Sequence, residues 1–207
     1  RGSTGPAVSE KLVLFGYGSG DVQAAFRKGG LVLWTATLAG ARSGQAIATI
    51  GGIGASPVIS RKRVYAANAS GRLVAMNLDS GARLWTAPHG ALTPLCVAGG
   101  SVFLINDIGQ LVPVDAHNGN TIWAVDSPTD KTSLSYRNTE VIAHHGPILA
   151  GDRLIVASGD GLLRQFDPVS GEELETVKIP GGATTSPIVA DGVLYVVSKN
   201  GKLHAFR

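Results

Sequence analysis

The residues able to do chemistry are few and scattered along the chain. One histidine pair occurs, His144-His145, and His89, His117 and His204 stand singly. Metal binding needs convergent ligands, and neighbours on an extended segment point to opposite faces, so the pair makes poor co-ligands. Asp21, Asp79, Asp107, Asp160 and Asp191 are each flanked by Gly, Ser or Asn. Such aspartates stabilise turns through their own side chains. The single cysteine, Cys96, lies in an apolar run and reads as a small buried strand residue. One cysteine forms no intrachain disulfide, so sulfur chemistry does not reveal the compartment. The segment Gly16–Gly20 (Gly-Tyr-Gly-Ser-Gly) has the glycine content of a phosphate-cradling loop. It leads into a strand pattern rather than a helix, so it reads as a hairpin.

Charge excludes another class. The net charge of +3 is spread along the chain. Lys11, Arg27, Lys28, Arg61, Lys62, Arg63, Arg72 and Arg83 build no block of five, and a nucleic-acid footprint needs a concentrated stripe. No nucleic-acid partner is expected. No apolar run approaches the ~18 residues of a membrane-spanning helix. The chain begins at Arg1 without an initiator methionine and carries no signal peptide, as expected for a processed or trimmed piece.

What positions these scattered groups is a repeat. In Ser56–Trp85, short apolar runs alternate with turns of Asn, Ser, Asp and Gly, the pattern of antiparallel strands joined by tight hairpins. Five copies align on their leading prolines, Pro6, Pro57, Pro94, Pro147 and Pro187. Turn glycines follow in register at Gly20, Gly71, Gly109, Gly161 and Gly201, and a second set at Gly30, Gly81, Gly119 and Gly171. Tryptophans close three copies at Trp34, Trp85 and Trp123; the fourth has Glu175 there, and the fifth stops at Arg207 before its fourth run. The copies span about 5–38, 55–88, 91–126, 145–178 and 185–207, within one region, 1–207. Insertions over Ala39–Ala55 and Asp126–His145 join the same two points of the unit and should emerge on one face.

A four-stranded unit of ~40 residues cannot bury both of its faces alone, so units must stack. The predicted fold is all-β: a β-propeller of four-stranded antiparallel blades. Glycine suits the hairpins, proline a strand start without a ladder donor, and tryptophan a plate for blade-on-blade packing. The chain holds about four blades plus three strands. We therefore expect a partner strand from a larger ring or another chain, because open edges invite pairing.

The pattern A-x-[ND]-x-x-[ST]-G-x-x-x-W, met by Ala75 through Gly81 to Trp85 and echoed from Val114 through Gly119 to Trp123, resembles the tryptophan-docking repeat of quinoprotein-like (PQQ-like) propellers. The layout of essentially all 207 residues resembles the C-terminal half of the BamB family of outer-membrane assembly lipoproteins. That resemblance rests on the Arg-Gly opening, the insertion after Trp34, the Ser-Pro-Val strand start and the abrupt end after Leu203–Arg207.

The resemblance implies an eight-bladed ring held by an N-terminal lipid anchor absent from this chain. It implies a place on the periplasmic face of the outer membrane of a Gram-negative bacterium. The implied role is a scaffold without catalysis or cofactor, binding the POTRA domains of BamA, with nascent outer-membrane proteins as a second partner. The family's arginine before this first repeat contacts BamA and falls on Arg1. Its pair of aspartates in the next loop falls on Gly52 and Gly54, flanking Ile53. Either the partner surface differs accordingly, or the backbone of this loop makes the contact.

Two other readings compete. A quinoprotein dehydrogenase needs a calcium site of acidic and amide oxygens and a catalytic aspartate. The aspartates here look like turn residues, and the adjacent-cysteine feature of the alcohol dehydrogenase branch is impossible with one Cys. A sensor or adhesion propeller is the other. The polar insertion Ser127–Glu140, with Lys131, Tyr136 and Arg137, reads as a solvated loop or a contact loop. The insertion Ala39–Ala55, with Ile47, Ile50 and Ile53, reads as packed on the propeller or offered to a partner.

Overall fold

The computed structural model describes residues 4–38, 52–128 and 142–207. Arg1 and most of both insertions, including Ile47, Ile50, Lys131, Tyr136 and Arg137, lie outside the described residues. The described chain is all-β and forms five sheets. The first blade holds β1 (Ala7–Val8), β2 (Leu12–Gly16), β3 (Asp21–Phe26) and β4 (Val32–Thr37). The second holds β5 (Val58–Ser60), β6 (Arg63–Ala67), β7 (Leu73–Asn77) and β8 (Arg83–Ala87). The third holds β9 (Cys96–Ala98), β10 (Ser101–Ile105), β11 (Gln110–Asp115) and β12 (Val125–Asp126). The fourth holds β13 (His144–Ala150), β14 (Arg153–Ser158), β15 (Leu162–Phe166) and β16 (Glu173–Lys178). The fifth has three strands, β17 (Ile188–Ala190), β18 (Val193–Val197) and β19 (Leu203–Phe206). Each sheet is an antiparallel meander in chain order.

The middle strands read as unbroken apolar runs because both of their faces are buried. Successive side chains alternate between faces. Val64, Ala66, Val74 and Met76 thus meet Leu12, Leu14, Val22 and Ala24 of the first blade. Their neighbours Tyr65, Ala67, Leu73 and Ala75 meet Val102, Leu104, Val112 and Val114 of the third. The same logic joins Phe103, Ile105 and Leu111 to Leu154, Val156 and Phe166, and Ile155, Ala157 and Leu163 to Leu194 and Val196. The blades therefore stack in chain order.

The outer strand of three blades carries a bulge at the same place. Ala75 pairs with Trp85 but Met76 pairs with Arg83, so Leu84 is the extra residue. Leu33 and Leu174 are extra in the same way. A bulged residue leaves the ladder, and all three leucines are exposed. The third blade departs for a different reason. Pro113 occupies the position of Ala75 and has no N–H for the outer strand, so β12 shrinks to the pairs Gln110↔Asp126 and Leu111↔Val125.

The meander sorts connections to two ends. Turns from first to second strand and from third to fourth lie at one end. Hairpins from second to third strand, and links to the next blade, lie at the other. Leu38, Gly52, Pro128 and Ile142, which flank the undescribed segments, belong to those links.

Candidate partner-binding face

The blade-to-blade links are stitched to the hairpins by backbone hydrogen bonds. Leu38, Ser127 and Ile179 donate to the carbonyls of Gly20, Gly109 and Gly161 at 2.8, 3.0 and 2.7 Å. Further along, Ile53, Ala91 and Ala183 donate to Tyr17, Asn68 and Ser158 at 3.1, 3.0 and 3.0 Å. The residue before each of these three is glycine. A Cβ at Gly52 would lie 2.9 Å from the Gly18 carbonyl oxygen, and one at Gly90 would lie 2.7 Å from the Gly71 nitrogen. One at Gly182 would overlap the Gly159 carbonyl. Close backbone approach therefore dictates glycine at Gly52. Gly52 and Gly182 each stand five residues before a leading proline and Gly90 stands four before its own, a recurrence open to sequence reading.

The rest of this loop is also engaged inward. Gly54 donates to the Ala67 carbonyl at 3.0 Å, and the Gly52 carbonyl accepts from Ala69 at 3.2 Å. The Ile53 side chain is buried in the core between the first and second blades. A Cβ at Gly54 would overlap the Ala91 carbonyl oxygen, so aspartate does not fit there unless the loop shifts. Gly52, Ile53 and Gly54 thus set the shape of the face rather than offering side chains to it.

What the face does offer is apolar. Tyr17 on the first blade's hairpin, Leu92 on the link from the second blade to the third and Ile108 on the third blade's hairpin are 43%, 67% and 42% exposed, far more than core residues. The Asp107 carboxylate accepts from the Gly90 amide at 2.8 Å and ties the hairpin of Ile108 to the link of Leu92. Sequence reading did not single out these three residues.

The candidate chemical groups are occupied by structure. Asp21 accepts from Thr37 and Ser19, at 2.5 and 2.7 Å, and these bonds hold its carboxyl below the usual range. Burial pushes Asp160 up, but the paired Arg164 guanidinium at 2.5 Å and the Leu162 amide outweigh it and lower the pKa. Asp79 is exposed in the turn after Asn77, and Asp191 stands in a turn at φ 50°. His144 and His145 have separate surroundings. His144 accepts at Nδ1 from Ser158 at 2.7 Å and donates from Nε2 to the Pro128 carbonyl at 2.8 Å. Burial lowers its pKa, and it lowers that of His145 as well. His89 bonds Thr121, His117 bonds Arg63, and His204 bonds Ser198. Half-buried Cys96 lies on β9, and burial raises its thiol pKa. Among the described residues no three His, Cys, Asp or Glu side chains gather as a metal-ligand set. The segment after Gly16 is the β2–β3 hairpin, closed by Gly20 N to Tyr17 O at 3.0 Å.

The tryptophans and second glycines interlock. The Trp34 indole donates to the Leu78 carbonyl at 2.9 Å and lies against Gly81 of the next blade. Trp85 does the same with Ala116, at 3.1 Å, and Gly119. Trp123 lies against Gly171, but its buried Nε1 has no partner among the described residues. Glu175, in place of a fourth tryptophan, pairs with Arg153 at 3.0 Å in solvent. Gly30 has no neighbour within 4 Å of an added Cβ.

Comparison with known proteins gives a consistent match. A family model described as outer membrane protein assembly factor BamB matches residues 1–125 and 113–207. The BamB of Moranella endobia is 26% identical over 205 residues, covering 99% of this chain and 50% of that protein. The BamB of Escherichia coli is 23% identical over 206 residues, again 99% and 50%. The chain thus spans about half the length of the curated relatives it matches. Among solved structures, BamB from Moraxella catarrhalis superposes with a TM-score of 0.81 at 22% identity, covering 99% of this chain and 58% of that one. A quinohemoprotein alcohol dehydrogenase from Pseudomonas putida superposes at 0.74 with 16% identity, over 100% and 40%. These structural likenesses show the β-propeller fold.

Proposed function

The chain belongs to the family of the outer membrane protein assembly factor BamB, and from that premise we propose that it is a non-enzymatic scaffold of the β-barrel assembly machinery. In this reading it works on the periplasmic face of the outer membrane, within a lipid-anchored eight-bladed ring. It binds the POTRA domains of BamA through the face that carries the links between blades. The observation that carries the reading is the family match along the whole chain. Exposed Tyr17, Leu92 and Ile108 on a rigid scaffold support the choice of face, since apolar groups held in this way mark contact surfaces. Arg1 contributes charge to the contact, and the loop Gly52–Gly54 shapes the face. Nascent outer-membrane strands would be held by β-augmentation at blade edges.

The test is capture of BamA periplasmic domains by the intact protein. Arg1→Glu and Leu92→Glu should each weaken capture. Val169→Glu, 81% exposed at the opposite end, should leave it unchanged. Equal capture by all variants rejects the face. Saturable binding of a quinone cofactor in calorimetry would reject the non-enzymatic assignment.

A further inference from the structure

We propose that a cleft between the second and third blades, at the end opposite the links, binds an acidic, partly apolar peptide segment of a partner protein. The cleft has a volume of about 570 Å³, within the range of sites that take several side chains. It lies between the turns Arg61-Lys62 and Gly99-Gly100 and under the turn Ala116-His117.

Its charge is one-sided. Arg61, Lys62, Arg63 and His117 line it, and no aspartate or glutamate does. Arg61 and Lys62 are exposed and form no ion pair among the described residues. The Arg63 guanidinium lies across the floor, donating to the carbonyls of Ala116 and His117 and to His117 Nδ1. None of these partners is a carboxylate, so the guanidinium forms no ion pair with them. The carboxylate of Asp115 is turned to the amides of His117 and Asn118, at 2.7 and 3.1 Å.

The backbone adds a second observation. Arg61 is held at φ 55°, and the equivalent turn residues of the third, fourth and fifth blades are Gly99 at 56°, Gly151 at 57° and Asp191 at 50°. Positive φ is what a tight two-residue hairpin demands, so the second through fifth blades share it. The turn thus fixes a long cation at the rim of the cleft, where the sibling turns have glycine or aspartate.

The floor decides between ligands. Tyr65, Val97 and Ala98 give it an apolar lining beside the cations. A bare phosphate uses only the rim. A peptide alternating acidic and aliphatic side chains uses both, pairing carboxylates with arginine and burying its apolar groups.

The experiment uses the intact protein and a fluorescein-labelled peptide alternating glutamate and leucine, read by anisotropy. Saturable binding is expected, weakened at least about tenfold in Arg61→Glu/Lys62→Glu. Circular dichroism confirms that this variant, altered only at exposed positions, keeps its fold. Lys28→Glu, in a turn at the same end of the first blade, should bind as the parent does. Three results would overturn the proposal: equal affinity in the double variant, equal loss in Lys28→Glu, or displacement of the peptide by inorganic phosphate at comparable concentration. None of these readouts involves BamA, so the cleft and the scaffold role stand or fall separately.

Discussion

The indole of Trp85 fills the space that a side chain at Gly119 would need: a Cβ there would sit 2.7 Å from the ring. Trp34 and Gly81 repeat the relationship one blade earlier, at 2.6 Å. Each of the first three blades therefore presents a plate, and the next presents a bare backbone turn to receive it. The two residue types are one device divided between neighbouring copies.

Gly81→Ala and Gly119→Ala should each destabilise the fold by about 2–4 kcal/mol, combining strain at positive φ with overlap against a rigid ring. Gly30→Ala meets the same kind of φ in open space and should cost only about 1 kcal/mol. Denaturant unfolding measures all three. Equal losses at the three positions would show that the ring contact is not what selects glycine.

Trp85→Ala should cost about 3–5 kcal/mol. Phenylalanine substitutions separate ring packing from the indole bond. Trp34→Phe loses the bond to Leu78, whereas Trp123→Phe removes a buried N–H that has no partner among the described residues. The former should be more harmful by about 1 kcal/mol. The same denaturant series reads the difference, and a larger loss at Trp123 would contradict it.

Burial lowers the pKa of His144 below its usual 6.5, so the folded state holds the neutral imidazole. The unfolded chain takes up a proton first as the pH falls. The contribution of His144 is therefore complete above about pH 6.5 and is lost toward the lower folded pKa. His145 shifts in the same direction, so a variant at one site removes part of the effect. Thermal unfolding at about pH 7.5 and about pH 5 should show a fall in stability that is smaller in His144→Gln. An identical fall in variant and parent would assign the pH dependence elsewhere.

The repeat was legible because blade packing imposes short-range rules. Proline at the strand start, glycine in the hairpin and tryptophan four residues after the second glycine are each local requirements, and each recurs in register. The site was less legible. Gly52 and Gly54 drew notice through family likeness as contact residues, whereas their neighbours show that backbone approach requires Gly52 and crowds Gly54. Leu84 and Leu33 look like core residues in a list of apolar positions, and a bulge turns them to solvent. Leu92 gives no signal in one dimension and the run Arg61-Lys62-Arg63 shows only as charge, because exposure and shared clefts arise only when blades come together.

By itself the sequence determined the all-β class, the four-stranded unit, the order of the blades and the tryptophan–glycine register. These follow from alternation, turn chemistry and repetition within a few tens of residues. Only the tertiary structure decided which residues face outward, why Pro113 shortens β12, and how the basic turn of one blade and the glycine turn of the next come to line one cleft. Those outcomes depend on atoms in different copies meeting at a few ångströms, a relation that no spacing along the chain encodes.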